Sequence, residues 1–252
     1  DNAMAAVGAI SAIINLLVNS FMGLSVGANV LAARERGAGD HAEVNRTVHT
    51  AMAVSLVGGV ALIFVGALGA RWILTTMGAP ENILEQAILY LRIYFLGMPA
   101  TMLYNFGAAL LRSVGDTRRP LVYLTVAGVV NVLLNLVLVI VFRMDVAGVA
   151  IATVVSQIIS AALVVRCMVR DDGDLHLELR KLRIHADKLK GILRLGRPAG
   201  LQSALFSLSN VVIQSSVNSF GEALVAGNTA NANINGFMAN ATAGFAVASL
   251  NF

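Results

Sequence analysis

Seven long apolar stretches, with basic residues gathered in the loops on alternate sides, decide what this chain can fold into. A bilayer's hydrocarbon core is about 30 Å thick, so about 20 apolar residues cross it as a helix. The stretches run over residues 3–33, 48–74, 86–111, 121–142, 146–169, 194–220 and 224–252. Hydrophobic residues make up 57% of the chain and charged ones 13%, and the mean hydropathy is +0.77. A soluble domain of 252 residues cannot hide that much apolar surface. The expected fold is all-α, a polytopic transmembrane helix bundle, and seven spans leave no room for a separate soluble domain.

The breaks between stretches carry turn chemistry. Gly37-Ala38-Gly39-Asp40, Gly78-Ala79-Pro80, Gly115-Asp116 ahead of Pro120, and Asp171-Asp172-Gly173-Asp174 all favour loops. Pro99 lies inside the third span, where a missing N–H predicts a kink. Within the inter-span segment 170–194, Leu189, Ile192, Leu193 and Leu195 stand at helical spacing among Lys188, Lys190 and Arg194. That pattern suits a short amphipathic surface helix or a solvated linker, and leaves both open.

Charge gives the orientation. Of the 18 Lys and Arg residues, 15 fall in the loops after spans one, three and five. Only Arg71, Arg92 and Arg143 fall on the other side, so the basic face is expected in the cytoplasm. The net charge of +4 follows from this segregation and implies no nucleic-acid partner. With this orientation the first span starts outside, yet the chain opens on Asp1 without a signal peptide. An upstream helix and an internal fragment are therefore expected. A lone Cys167 excludes an internal disulfide, and His41, His49, His176 and His185 lack metal-ligand spacing.

Every one of the 14 acidic residues falls in a loop or at a span end. No buried carboxylate pair is available for hydrolysis or a proton relay, so no enzyme is expected. Neutral polar residues line the spans instead. Asn15 and Asn19 share a helix face, as do Asn131 and Asn135. Ser203, Ser207, Asn210 and Gln214 form a third stripe, and Asn228, Asn231 and Asn235 a fourth. A single amide of this kind glues helices together, as does the Gly23–Gly27 GxxxG pair. Several stripes on different helices point to a shared polar cavity. A shift of 220 residues aligns Asn15 with Asn235 and Ile14 with Ile234, a faint repeat of the kind transporters are built from.

Four blocks carry a specific resemblance: GLSVGANVLAARERGAGD (23–40), YNFGAALLRSVGDTRRP (104–120), GVAIATVVSQ (148–157) and LGRPAGLQSALFSLSN (195–210). In this order they resemble the multidrug and toxic compound extrusion (MATE) transporters. The resemblance implies two six-helix lobes, of which this chain covers about helices two to eight. Residues 1–170 would form first-lobe helices, 171–193 a cytoplasmic inter-lobe linker, and 194–252 the first two helices of the second lobe. It also implies export of cationic or amphipathic small molecules from a bacterial plasma membrane by alternating access. A proton or sodium gradient would drive it, with no cofactor. By motif match Asn131 takes the family's Asn in a first-lobe cation site, Thr153 takes the Thr, and Asn135 stands where members carry Asp. Phe206 stands nearest the Glu that other members place on helix seven. Asn15, Asn19, Tyr104, Asn105, Asn131, Asn135, Thr153, Gln202 and Asn210 are the candidate lining of the substrate and cation cavity.

Two other readings were weighed. A lipid-linked oligosaccharide flippase of the same superfamily would want an Arg-lined cavity, and only Arg92 is a candidate within a span. A seven-helix retinal protein needs a membrane-embedded lysine, whereas Lys181, Lys188 and Lys190 share one loop.

Overall fold

The computed structural model describes residues 2–76, 81–218 and 242. Seven α-helices follow one another: α1 (Asn2–Gly37), α2 (His41–Thr76), α3 (Glu81–Leu96), α4 (Met98–Ser113), α5 (Arg118–Leu136), α6 (Asp145–Val169) and α7 (Ala186–Asn218). There is no strand among the described residues. The expected seventh span, 224–252, lies outside them.

Each turn is built by the residues that the sequence marked as breakers. After α1, Gly39 takes a left-handed φ of 77°, and the Asp40 carboxylate accepts the Glu43 N–H to cap α2. After α4, Gly115 takes φ 85° and Asp116 caps α5 by accepting the Arg119 N–H. The expected third span is two helices. Pro99 has no N–H for the carbonyl of residue 95, the helix breaks at Gly97, and α4 restarts with Thr101 N–H bonded to the Gly97 carbonyl. α5 runs into a π-helical turn, Val137–Val141, that starts two residues after Asn135.

The segment around Leu189–Leu195 is neither a separate surface helix nor a solvated linker. It is the first half of α7, which runs unbroken into the sixth apolar stretch. Gly196 and Gly200 do not end it, because both face α1. A Cβ on Gly23 would lie 2.2 Å from Gly200 Cα, and one on Gly27 would lie 2.4 Å from the Ile192 carbonyl oxygen. The GxxxG pair is thus a packing surface, and α1 against α7 is the most extensive helix contact.

Two apolar clusters hold the bundle. One gathers Ala28, Val48, Met52, Phe106, Leu110, Val164 and Ile192 from α1, α2, α4, α6 and α7. The other joins α2 to α3 and α4 through Leu62, Leu74, Leu91, Phe95 and Met102. Much of the outer surface is apolar too. Leu68, Trp72, Leu121, Ile140, Val141 and Phe142 are all more than 60% exposed, a surface that hydrocarbon solvates and water does not. Among the described residues, His41–Trp72, Arg118–Val141 and Ala147–Val169 are long and apolar enough to cross a membrane. The protein is a multi-pass membrane bundle.

The three basic loops meet at one end, as the charge pattern requires. Arg36 donates to the Val114 carbonyl at 2.6 Å, and Arg119 approaches Asp171 at 4.0 Å. The connection between α6 and α7 docks on α2, with Leu175 and Leu177 buried. Asn45 donates to the His176 carbonyl (2.8 Å), Glu178 N–H to His49 Nε2 (3.2 Å) and His185 N–H to Thr50 Oγ1 (3.2 Å).

A candidate polar site between α5 and α6

A polar chain links α5 and α6 within their apolar stretches. Asn131 and Asn135 are one helical turn apart, so their amides meet: Asn135 Nδ2 donates to Asn131 Oδ1 at 3.0 Å. Asn131 Nδ2 crosses to Ser156 Oγ on α6 at 3.3 Å. The Ser156 hydroxyl donates to the Thr153 carbonyl at 2.7 Å, and the Thr153 hydroxyl to the Val149 carbonyl at 2.9 Å. Both amide nitrogens and both hydroxyls in this chain donate to a partner. One acceptor is left unfilled: Asn135 Oδ1 is buried and has no hydrogen-bond partner among the described residues.

A buried acceptor left empty costs about 1–3 kcal/mol, so the arrangement favours anything that brings a donor or a positive charge to it. An ammonium group, a hydroxyl or a small cation would satisfy it. An amide carries no net charge and exchanges no proton at physiological pH. At this position the site can therefore attract a cation by its dipole but cannot itself relay a proton. The π-helical turn that follows adds a residue to the helical repeat just beyond Asn135, a feature common at functional sites.

The other expected lining residues lie elsewhere or fall outside the described side chains. Tyr104 is 8% exposed, and its hydroxyl donates to the Pro120 carbonyl at 3.0 Å, tying α4 to the start of α5. Tyr104→Phe is therefore expected to lower stability by about 1 kcal/mol with little change in substrate handling. Thermal unfolding of the variant in detergent beside its transport rate checks this. Asn105 is half-buried on α4, and Gln202 is exposed on α7. The side chains of Asn15, Asn19 and Asn210 lie outside the described part of the structure, as do the stripes at Ser207–Gln214 and Asn228–Asn235.

Two polar residues escaped the sequence reading. Ser156 bridges Asn131 to α6; the spacing Thr153, Ser156, Ser160 marks one face and could have signalled it. Asn29 sits on α1 and donates to the Ala109 carbonyl of α4 at 2.8 Å, a packing role that no local pattern announces.

Comparison with known proteins agrees with this architecture. The family model for MatE matches residues 1–137. The chain is 30% identical over 227 residues to the probable multidrug resistance protein YoeA of Bacillus subtilis, covering 87% of this chain and 49% of that protein. It is 32% identical over 224 residues to the probable multidrug resistance protein YpnP of the same organism, with the same coverage of 87% and 49%. Among solved structures, a MOP superfamily transporter from Pyrococcus furiosus superposes with a TM-score of 0.82 at 26% identity, covering 93% of this chain and 52% of that one. The chain spans about half the length of the relatives it matches. The solved structure is described as a transporter and the two Bacillus subtilis relatives as probable multidrug resistance proteins. A family match over more than half the residues, on a helical bundle of the same shape, shows that this chain belongs to the MatE family of multidrug and toxic compound extrusion transporters.

Proposed function

We propose that this chain forms the substrate-handling part of a secondary active exporter of small cationic or amphipathic organic compounds. Its basic end faces the cytoplasm of a bacterial plasma membrane. The observation that carries this reading is the unfilled acceptor of Asn135, held inside the apolar stretch of α5 by the Asn131–Ser156 chain. A dipolar, uncharged acceptor in an apolar setting suits an organic cation that must bind and then leave. A full carboxylate there would hold it more tightly.

Coupling follows from the same chemistry. The amides can ligate a cation but take up no proton, so an imposed proton or sodium gradient acts through acids elsewhere in the working transporter. Residues 1–170 belong to one lobe and the later part of α7, from residue 194, to the other; the join at 171–193 is made of the α6–α7 connection and the first turns of α7.

Replacing both Asn131 and Asn135 with leucine in the native gene product is expected to reduce export of a fluorescent organic cation by at least about tenfold. This corresponds to losing about 1.4 kcal/mol or more of differential binding. Retained expression and an unchanged melting profile would show that folding is intact. Undiminished export in the double variant would remove these amides from the site.

A further inference from the structure

All four histidines of the chain, His41, His49, His176 and His185, sit where the α6–α7 connection docks on α2. Three of them use Nδ1 in a way that survives protonation. His176 Nδ1 faces the Asp171 carbonyl at 2.7 Å and can only donate. His185 Nδ1 faces Thr50 Oγ1 at 3.2 Å, and that hydroxyl already gives its proton to the Arg46 carbonyl, so His185 again donates. His41 Nδ1 faces the Asp174 carboxylate at 2.7 Å, a contact that a positive charge strengthens.

His49 is different because both its nitrogens are engaged in opposite senses. Nδ1 lies 2.9 Å from the Asn45 carbonyl and must donate. Nε2 accepts the backbone N–H of Glu178 at 3.2 Å, so it must carry the lone pair. The ring is 6% exposed and held in one tautomer. A proton taken from solvent onto Nε2 would set N–H against N–H, and the bond to the Glu178 backbone would be lost.

The groups around it give that proton somewhere to point. Glu178 is paired with Lys181 at 2.9 Å, and this hydrogen bond chiefly holds its carboxyl below the usual carboxylate range. The nearby His176 and His49 rings act in the same direction. On α2, Arg46 is engaged by Glu43 and Asp187. On α1 and α7, Glu35 and Lys188 hold one another, with Thr47 on the second Glu35 oxygen. Glu178 is the residue whose backbone His49 holds, and its carboxylate would attract a positive charge on that ring.

We propose that His49 is a proton-operated latch on the connection between α6 and α7. Neutral, it pins the Glu178 backbone to α2; protonated, it drops that N–H, is drawn to the Glu178 carboxylate and loosens the stretch between His176 and His185, whose two ends stay held by Asn45 and Thr50. His41 keeps its hold on Asp174, so the release is local and hinged there. The latch makes the join between the two lobes respond to proton concentration on the basic face. This goes beyond the export reading and does not depend on it.

The test is hydrogen exchange, read by mass spectrometry on the native gene product in detergent. Exchange in peptides covering 175–185 is compared at about pH 7.5 and about pH 5.5, across the range where imidazoles titrate. After correction for intrinsic exchange, the wild type is expected to lose about tenfold in protection at the lower pH. His49→Gln, whose amide can accept from Glu178 and donate to Asn45 without titrating, is expected to show less than about a twofold change. His176→Gln, as the control, is expected to keep the wild-type response. Unchanged protection in the wild type overturns the latch, even if His49→Gln fails to fold. An equal response in His49→Gln, or its loss in His176→Gln, overturns the assignment to His49.

Discussion

Gly23→Ala is expected to lower the stability of the bundle by about 3 kcal/mol, at the upper end of what overpacking costs. The added methyl would sit 2.2 Å from both the Cα and the N of Gly200 and 3.0 Å from the Ala199 carbonyl carbon. These are backbone atoms of a second helix, so no side-chain rotation relieves the clash. The two helices must separate, and the separation spreads along a shared surface that includes Gly27, Gly191 and Gly196. Gly128→Ala is the matched control. Nothing lies within 4 Å of the position where its Cβ would stand, and alanine is the better helix former. Thermal unfolding in detergent should show Gly23→Ala melting well below wild type and Gly128→Ala at or above it. Equal melting of the two variants would mean that α1 and α7 are not in backbone contact.

Lys188→Met is expected to cost about 2 kcal/mol, because it leaves the largely buried Glu35 carboxylate without its cation while Glu43 keeps Arg46. The lysine is 7% exposed and is held by Glu35 Oε1 at 2.5 Å and by Glu43. Burial works against its charge, but hydrogen bonds to Glu35 and Glu43 outweigh that and raise its pKa above the ordinary lysine value of 10.5. A raised value means that the contribution is fully present below about pH 10.5 and disappears as pH climbs through the folded-state value. Glu35→Gln in the Lys188→Met background should recover part of the loss, since a neutral amide tolerates the vacated site better than a lone carboxylate. Chemical unfolding of the three proteins at neutral pH measures this. A loss under about 1 kcal/mol in Lys188→Met would mark the cluster as solvent-screened.

These two sites also show where sequence reading reaches and where it stops. The turns were legible because Gly39, Gly115, Asp40 and Asp116 act through their own backbone or the next turn of helix. Pro99 was legible as a kink, though not as the full break at Gly97. The continuity of α7 was not legible. The sixth apolar stretch starts at 194 in sequence, whereas the helix begins at Ala186, and Gly191 and Gly196 lie in its interior against α1. The Asn131–Asn135 pair could be read from its four-residue spacing, whereas Ser156 lies 25 residues from Asn131 and pairs through the α5–α6 contact. Tyr104 was marked within a family motif, but its hydroxyl is committed to the Pro120 carbonyl. Lys188 read as one more basic loop residue. Its partner Glu35 is 153 positions away, and no local pattern encodes that distance.

The same contrast separates the two ends of the bundle. At the basic end, charged and hydrogen-bonding groups are matched across three loops and bury Thr47, His49, Thr50 and Lys188. Near the C-terminal end of α5, the Asn131–Asn135 chain ends on an acceptor that nothing in the described structure fills. A fully matched network rigidifies, and an unmatched group in an apolar setting invites a ligand. Structure-holding polarity therefore lies at one end, and ligand-seeking polarity lies inside the membrane-spanning stretch.

The most direct measurement is uptake of a fluorescent organic cation into inverted membrane vesicles that carry the native gene product, with a proton or sodium gradient imposed. Accumulation that follows the gradient, and that is lost when Asn131 and Asn135 are both leucine, is the predicted result. Vesicles that accumulate no more cation than protein-free controls under either gradient would contradict the account.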